Sequence, residues 1–190
     1  MFEVKINADK VTKKIENSFK TAVVRSINQT MTELKKEARQ GLKKDIGLKI
    51  KTMKPRARVP KKAKKKFPHS VLTLEPIGIP LYWFGARKVK VRVPNARRGP
   101  KWRYGARLSK GVVKGIAPGG FITQVGKGRH TGVFKRRTNT RLPIDEMYVK
   151  REVVESASRQ YKPLTKRAVD LLKEAMKKNL ESAKKKLEGG

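Results

Sequence analysis

Residues Gly119–Tyr148 read GGFITQVGKGRHTGVFKRRTNTRLPIDEMY. Phe121, Thr123 and Val125 alternate with Ile122 and Gln124, and Gly132-Val133-Phe134 opens a second β-rich run. Gly126-Lys127-Gly128 lies between them and supplies the backbone freedom that a tight connection needs. The pattern predicts a β-hairpin with Phe134 buried and with Thr123 and Val125 sharing one face. A cationic stretch, Lys135 to Arg141, then leads into Leu142-Pro143-Ile144-Asp145-Glu146. Pro143 disfavours helix at Leu142, and Asp145-Glu146 put negative charge where a following short helix has its positive end.

Upstream, Val89-Lys90-Val91-Arg92-Val93 alternates valine with cation, which predicts a strand with one buried and one basic face. Val71–Leu74 and Ile79–Phe84 are two further β candidates. Trp83, between Tyr82 and Phe84, is expected in the core. Residues 94–108 read as an enlarged basic loop, in which Trp102 is either a packing anchor or a surface contact among Arg97, Arg98, Lys101 and Arg103. Residues 49–66 read as a second basic loop, broken by Pro55 and Pro60 and ending in the bare run KKAKKK.

Both ends of the chain read as helix. Phe2, Val4 and Ile6 alternate as a short strand, and Asp9 can cap a helix over Lys10–Ile46 that stops at Gly47. Its apolar stripe runs through Val11, Ile15, Phe19, Val23, Ile27, Met31, Leu34, Ala38 and Leu42. Ala22, Ser26 and Thr30 give that stripe a small-residue edge, suited either to the core or to a subunit interface. A C-terminal helix is expected over about 163–187, with Pro163 in its first turn and Leu164, Leu171, Leu172, Ala175 and Leu180 on one side. Two terminal helices packed on a mostly antiparallel sheet make an α+β fold, and 190 residues suit a single domain, 1–190.

The formal net charge is +35, from 50 Lys+Arg against 15 Asp+Glu. A compact body so charged repels itself and favours polyanions or acidic assembly partners. From Ile46 through Ile144 the only acid is Glu75, so the middle of the chain is its electropositive part. Any nucleic-acid contact by Lys61, Lys62, Lys64, Lys65 and Lys66, or by Arg97, Arg98, Lys101 and Arg103, would be to phosphates and independent of sequence. There is no cysteine, which excludes disulfides and thiolate metal sites. MFEVKINADK lacks the apolar core of a signal peptide, and no apolar run approaches the ~20 residues of a membrane span, so a soluble chain made in the cytoplasm is expected.

Catalytic chemistry finds little support. His69 and His130 are the only histidines and have no partners at metal-ligand spacing. His130, at the hairpin turn, is expected to bond loop backbone. Asp145 and Glu146 are adjacent, a poor spacing for an acid/base pair, and suit capping or pairing with Arg136, Arg137 or Arg141. No enzyme activity and no cofactor are expected.

The order GGFI, GRHTGVFKRR, RLPIDEMY resembles the core motif of the phage minor tail protein Z family, the tail-completion proteins of siphophages. IPLYWFGAR, Ile79 to Arg87, is similar to that family's FGAR segment, and AVVRSINQTMTELKKEAR, Ala22 to Arg39, to its N-terminal helix. After Tyr148 the chain departs from the family pattern, with Val149-Lys150-Arg151-Glu152 in place of Gly-Pro-Ser-Val. The resemblance implies a virion protein at the head-proximal end of a long tail, in the neck. It also implies a ring, a hexamer to match the tail's symmetry. The implied neighbours are the tail terminator or tail tube, head-completion proteins and, by phosphate contacts, genomic DNA. Candidate assembly contacts are Ala22, Ser26 and Thr30 on the helix and Leu142, Pro143, Ile144, Asp145 and Met147 at the corner. The charge alone also fits a second class, a stand-alone nucleic-acid-binding protein of ribosomal-protein type, which leaves the ordered motifs unexplained.

Overall fold

The computed structural model describes residues 8–75, 77–93, 101–126, 128–138 and 142–188. The strand expected at Phe2–Ile6 lies outside them. The fold class is α+β, with a long N-terminal helix, a C-terminal helix and antiparallel ladders. The chain forms two compact units, each assembled from separated segments. Helix α1, Ala8–Ile46, contributes to the first unit up to Arg39 and to the second from Gln40. It already includes Asp9, so that residue lies within the helix rather than ahead of it.

The first unit holds α1 to Arg39, the strands β1 (Ala57–Lys61) and β2 (Val71–Leu74), and the C-terminal helix α3 from Gln160. Its buried row on α1 is Ala22, Ser26, Thr30, Leu34 and Ala38, spaced by four and therefore on one face. The larger residues of the expected stripe do not lead it. Phe19 is 54% exposed, Ile15 is also exposed, and Val23, Ile27 and Met31 are only half-buried. The small side chains win because α3 comes close enough to share hydrogen bonds. Ser26 Oγ lies 3.1 Å from the Ala175 carbonyl, and Asn179 Nδ2 donates to Ser26 Oγ at 3.0 Å and to Gln29 Oε1 at 2.8 Å. Arg167 reaches Glu37 at 3.5 Å, so the two helices run antiparallel.

Strands β1 and β2 pair antiparallel, with the register slipping between Arg58 and Lys61 around Pro60, which cannot donate to a ladder. Helix α3 spans Arg151–Glu188 and so begins before the expected 163. Pro163 lies inside it, not in the first turn, and leaves the carbonyl one turn earlier without a helical donor. The early part of α3, REVVESASRQY, has no clear apolar period, because the polar Ser156 fills a buried position beside Val153 and donates to Asp45 Oδ2 at 2.7 Å.

The second unit has the large apolar core: Leu42, Ile46, Met53, Ile79, Phe84, Val133, Phe134 and Val153 are all buried. In place of one continuous sheet, it contains three small ones among the described residues. Strand β3 (Ile79–Pro80) pairs with β10 (Tyr148–Val149). A second sheet has the order β4 (Arg87–Val93), β5 (Lys101–Leu108), β6 (Gly115–Ile116). The third has the order β7 (Gly120–Val125), β8 (His130–Arg136), β9 (Ile144–Glu146).

The hairpin is where the sequence places it. Phe121 pairs with Phe134 and Ile122 with Val133, Phe134 is buried, and the connection over 126–129 starts at Gly126 with φ +75°. The alternation in β4 also holds, with half-buried Val89 and Val91 between exposed Lys88, Lys90 and Arg92.

Four expectations need correction. Residues 49–66 are not a loop: α2 (Ile50–Met53), a 3-10 turn (Lys54–Arg56) and β1 occupy most of the span. Residues Lys101–Leu108 are strand, paired with β4 from Arg87↔Arg107 to Val93↔Lys101. KWRYGARL alternates apolar and cationic residues, apart from Gly105, and that period outweighs the loop signals before it. Trp83 is 49% exposed instead of buried. It lies in a 3-10 turn, Leu81–Phe84, whose three-residue period turns Leu81 and Phe84 inward and leaves Tyr82 and Trp83 outside. Asp145 and Glu146 belong to β9 and start no helix.

Helix α1 does stop at Gly47, with φ +74° and its N–H donating to Lys43 O at 2.8 Å. A Cβ there would stand 2.7 Å from Gly111 Cα, so glycine is required both by angle and by space.

Candidate functional site

The corner formed by β8, β9 and β10 gathers the most ordered polar chemistry of the second unit. Arg137 grips Asp145 with two parallel hydrogen bonds, Nε to Oδ2 at 2.6 Å and Nη2 to Oδ1 at 2.8 Å. The guanidinium bonds hold the Asp145 carboxyl below the usual carboxylate range and raise Arg137. One residue on, Glu146 accepts from Tyr148 Oη at 2.6 Å and meets His130 Nε2 at 2.9 Å. The bond to Glu146 raises the Tyr148 phenol above its ordinary value, with burial adding to the effect. His130 therefore answers a carboxylate side chain in place of the loop backbone expected for it, and its ring stands edge-on to Phe134 at 6.3 Å.

The corner residues differ in exposure. Leu142 is 66% exposed and Pro143 and Asp145 are exposed, whereas Ile144 and Met147 are half-buried. Backbone bonds fix the turn: Met147 N–H donates to Val133 O at 2.8 Å, Leu81 N–H to Met147 O at 2.9 Å, and Arg137 N–H to Pro143 O at 3.2 Å. The 3-10 turn bearing exposed Tyr82 and Trp83 directly follows β3, which pairs with β10. Sequence reading missed these two aromatics as surface groups. Two adjacent apolar positions within a three-residue period were the available signal.

In the first unit, Ala22, Ser26 and Thr30 are buried against α3 of the same chain. Their close-packing edge is used internally, and they are not exposed for a subunit contact. The lysine run is exposed but anchored. Lys61 ends β1, Lys64 and Phe67 exchange backbone bonds at 2.9 Å, and Asn28 clamps Ala63 through both its amide atoms at 3.0 and 2.9 Å. Lys61, Lys62, Lys64, Lys65 and Lys66 thus project from a held turn. Lys101 and Arg103 lie on β5, facing Val93 and Val91 in register, while Arg97 and Arg98 fall outside the described residues.

Some cations serve structure: Arg39 donates from Nε and Nη2 to Ala57 O at 3.2 and 2.9 Å. Arg56 is 3% exposed and donates to Ile77 O at 3.0 Å, to Gly78 O at 2.8 Å and to Thr52 O. Burial pushes its pKa down. Nothing in the local sequence KPRAR separates it from its solvated neighbours.

Among the described residues no cluster of metal-ligating side chains forms, and no helix is long and apolar enough to cross a membrane. What the residues build is contact surface, with charged turns, exposed aromatics and a locked corner on an α+β frame. The family description of prophage minor tail protein Z (GPZ) matches residues 6–187, nearly the whole chain. The chain belongs to that family, one of phage tail structural proteins that are not typically enzymes, and this makes it a component of the virion tail. No curated protein and no solved structure matches it.

Proposed function

We propose that this tail protein completes the tail at its head-proximal end and prepares it to join the head and to hold or pass DNA. It does so as a ring of six copies in the neck, between the tail terminator or tail tube and the head-completion proteins. A ring about the tail axis needs a heterologous interface, one patch meeting a different patch on the next copy. The Leu142–Met147 corner, extended by Tyr82 and Trp83, supplies one patch, since exposed aromatics and a bidentate arginine suit an interface centre. The outward face of α1, with Phe19 and Ile15, supplies the other.

The observation that carries the reading is the placement of charge within a tail-protein family. Between Ile46 and Ile144 stands a single acid, Glu75, and the Lys61–Lys66 turn projects five cations. A ring gathers that charge around an axis, opposite acidic neighbours or the phosphates of the genome. Contacts to DNA would be non-specific, with a log–log salt slope of about −0.9 per phosphate neutralised.

The test replaces Lys61, Lys62, Lys64, Lys65 and Lys66 with Gln in one phage, and Arg97, Arg98, Lys101 and Arg103 in another. Assembled tails are then scored separately from infectious particles. Normal tails that join heads but fail to retain or deliver DNA are the expected result for a DNA-facing patch. Failure of the protein to incorporate assigns that patch to a protein neighbour. Full infectivity from both phages would remove any polyanion role from both runs.

A further inference from the structure

Edge strands in soluble proteins are guarded by lysine, proline or short length, because an open edge recruits other chains. Strand β4, an edge of its sheet, follows this rule with Arg87, Lys88, Lys90 and Arg92. Strand β7 does not. It is the edge of the β7–β8–β9 sheet, and its sequence GFITQV has neither charge nor proline, in a chain of net charge +35.

Beside β7 lies a concavity of about 550 Å³, bounded by Lys88 and Tyr104 on one side and by Lys135 and Arg136 on the other, with Phe121 and Thr123 between. That volume is within the roughly 300–1,000 Å³ of ligand-sized clefts. Lys88 Nζ stands 4.3 Å from the centre of the Tyr104 ring, and the Arg136 guanidinium 5.6 Å from that of Phe121. Each ring therefore holds a cation over its face and aims positive charge at the cleft. The rings serve less as stacking platforms for bases than as posts for charge. No carboxylate lines the cleft.

We propose that this cleft docks an acidic extended segment of another protein, which adds as a strand to β7 while its carboxylates meet Lys88, Lys135 and Arg136. Three features favour a peptide over nucleic acid. A strand edge with no ladder partner among the described residues offers backbone pairing that only a polypeptide can use. The aromatic faces already carry cations. The cleft is also too small to admit a duplex. The inference holds wherever in the tail the chain sits, so it goes beyond the head-proximal assignment and does not depend on it.

The test measures binding of three fluorescent probes: a ten-residue peptide of alternating Glu and Val, the same peptide with Pro in place of each Val, and a dT ten-mer. The proteins are the wild type, a cleft variant (Lys88→Gln, Lys135→Gln, Arg136→Gln) and a control that loses equal charge on α3 (Lys166→Gln, Lys173→Gln, Lys177→Gln). The cleft residues are exposed, so both variants should melt with the wild type. The expected result is a loss of about tenfold or more in Glu-Val affinity for the cleft variant and less than about threefold for the control. The Glu-Pro peptide should bind the wild type at least about tenfold more weakly than Glu-Val, because it cannot pair with a strand. Equal losses in the two variants would reduce the cleft to general attraction and overturn the proposal. So would Glu-Pro binding that matches Glu-Val, or a cleft variant that loses dT binding selectively.

Discussion

The two units solve the packing problem in opposite ways. In the first, α1 and α3 meet through Ala22, Ser26 and Thr30 with a hydrogen-bond network around Asn179, while Phe19, Ile15 and Val169 remain exposed. In the second, Phe84, Ile79, Val133 and Met53 are fully enclosed, and among the described cations only Arg56 is buried. Close helix approach through small residues buries little apolar area per residue, whereas a core of large side chains buries much. The second unit therefore holds the larger share of the enclosed side chains. Both units keep large apolar groups on their surfaces, Phe19 and Val169 in the first and Trp83 and Leu142 in the second, so the contrast lies in how each is packed inside.

The largest effects should separate the two units. Phe84→Ala or Phe134→Ala should destabilise by on the order of 3–5 kcal/mol in chemical denaturation, while Phe19→Ala changes stability by less than about 0.5 kcal/mol. Equal losses would erase the contrast. Arg56→Ala comes next, at about 3 kcal/mol, because it removes a buried guanidinium together with its bonds to three carbonyls. Should that variant be as stable as the wild type, the guanidinium is not the internal strut described. Gly47→Ala should cost about 2 kcal/mol, from a strained backbone and from the approach to Gly111.

Smaller effects test the helix pair. Ser26→Ala should lose about 1 kcal/mol by stripping Asn179 of an acceptor. Thr30→Val should be neutral or stabilising by up to about 1 kcal/mol, since Thr30 Oγ1 is buried without a hydrogen-bond partner. A clear loss at Thr30 would mean that its hydroxyl has a role in solution. The smallest effect concerns pH. Arg137 depresses the Asp145 carboxyl, so the pair's contribution is complete above the ordinary carboxylate pKa and disappears as pH falls through the lowered one. A carbon NMR titration should find the Asp145 midpoint below the usual range, and Arg137→Gln should return it there. An unchanged midpoint would show that the corner is not locked.

Much of this is legible in the sequence. The hairpin and buried Phe134 follow from period-two alternation around two glycines, and the Gly47 stop from a glycine after a long helical pattern. The pairing of Asp145 with Arg137 was one of a few options that local charge left open. What sequence could not show were effects of tertiary distance. The four-residue row of Ala22, Ser26 and Thr30 displaced larger residues because α3 is close, and the distance of α3 is not written in α1. Arg56 looks like the forty-nine other Lys and Arg residues until its three carbonyls surround it. Trp83 looked internal because a three-residue turn hides inside an apolar run. The cleft beside β7 joins residues from β4, β5, β7 and β8, which no local pattern connects.

We propose that this tail protein acts as a ring at the head-proximal end. A reconstruction of the intact virion without imposed symmetry tests it most directly. It should place copies of the chain around the tail axis at the junction with the head, each joining its neighbour through unlike patches. A single off-axis copy, or copies at the far tip of the tail, would contradict the account.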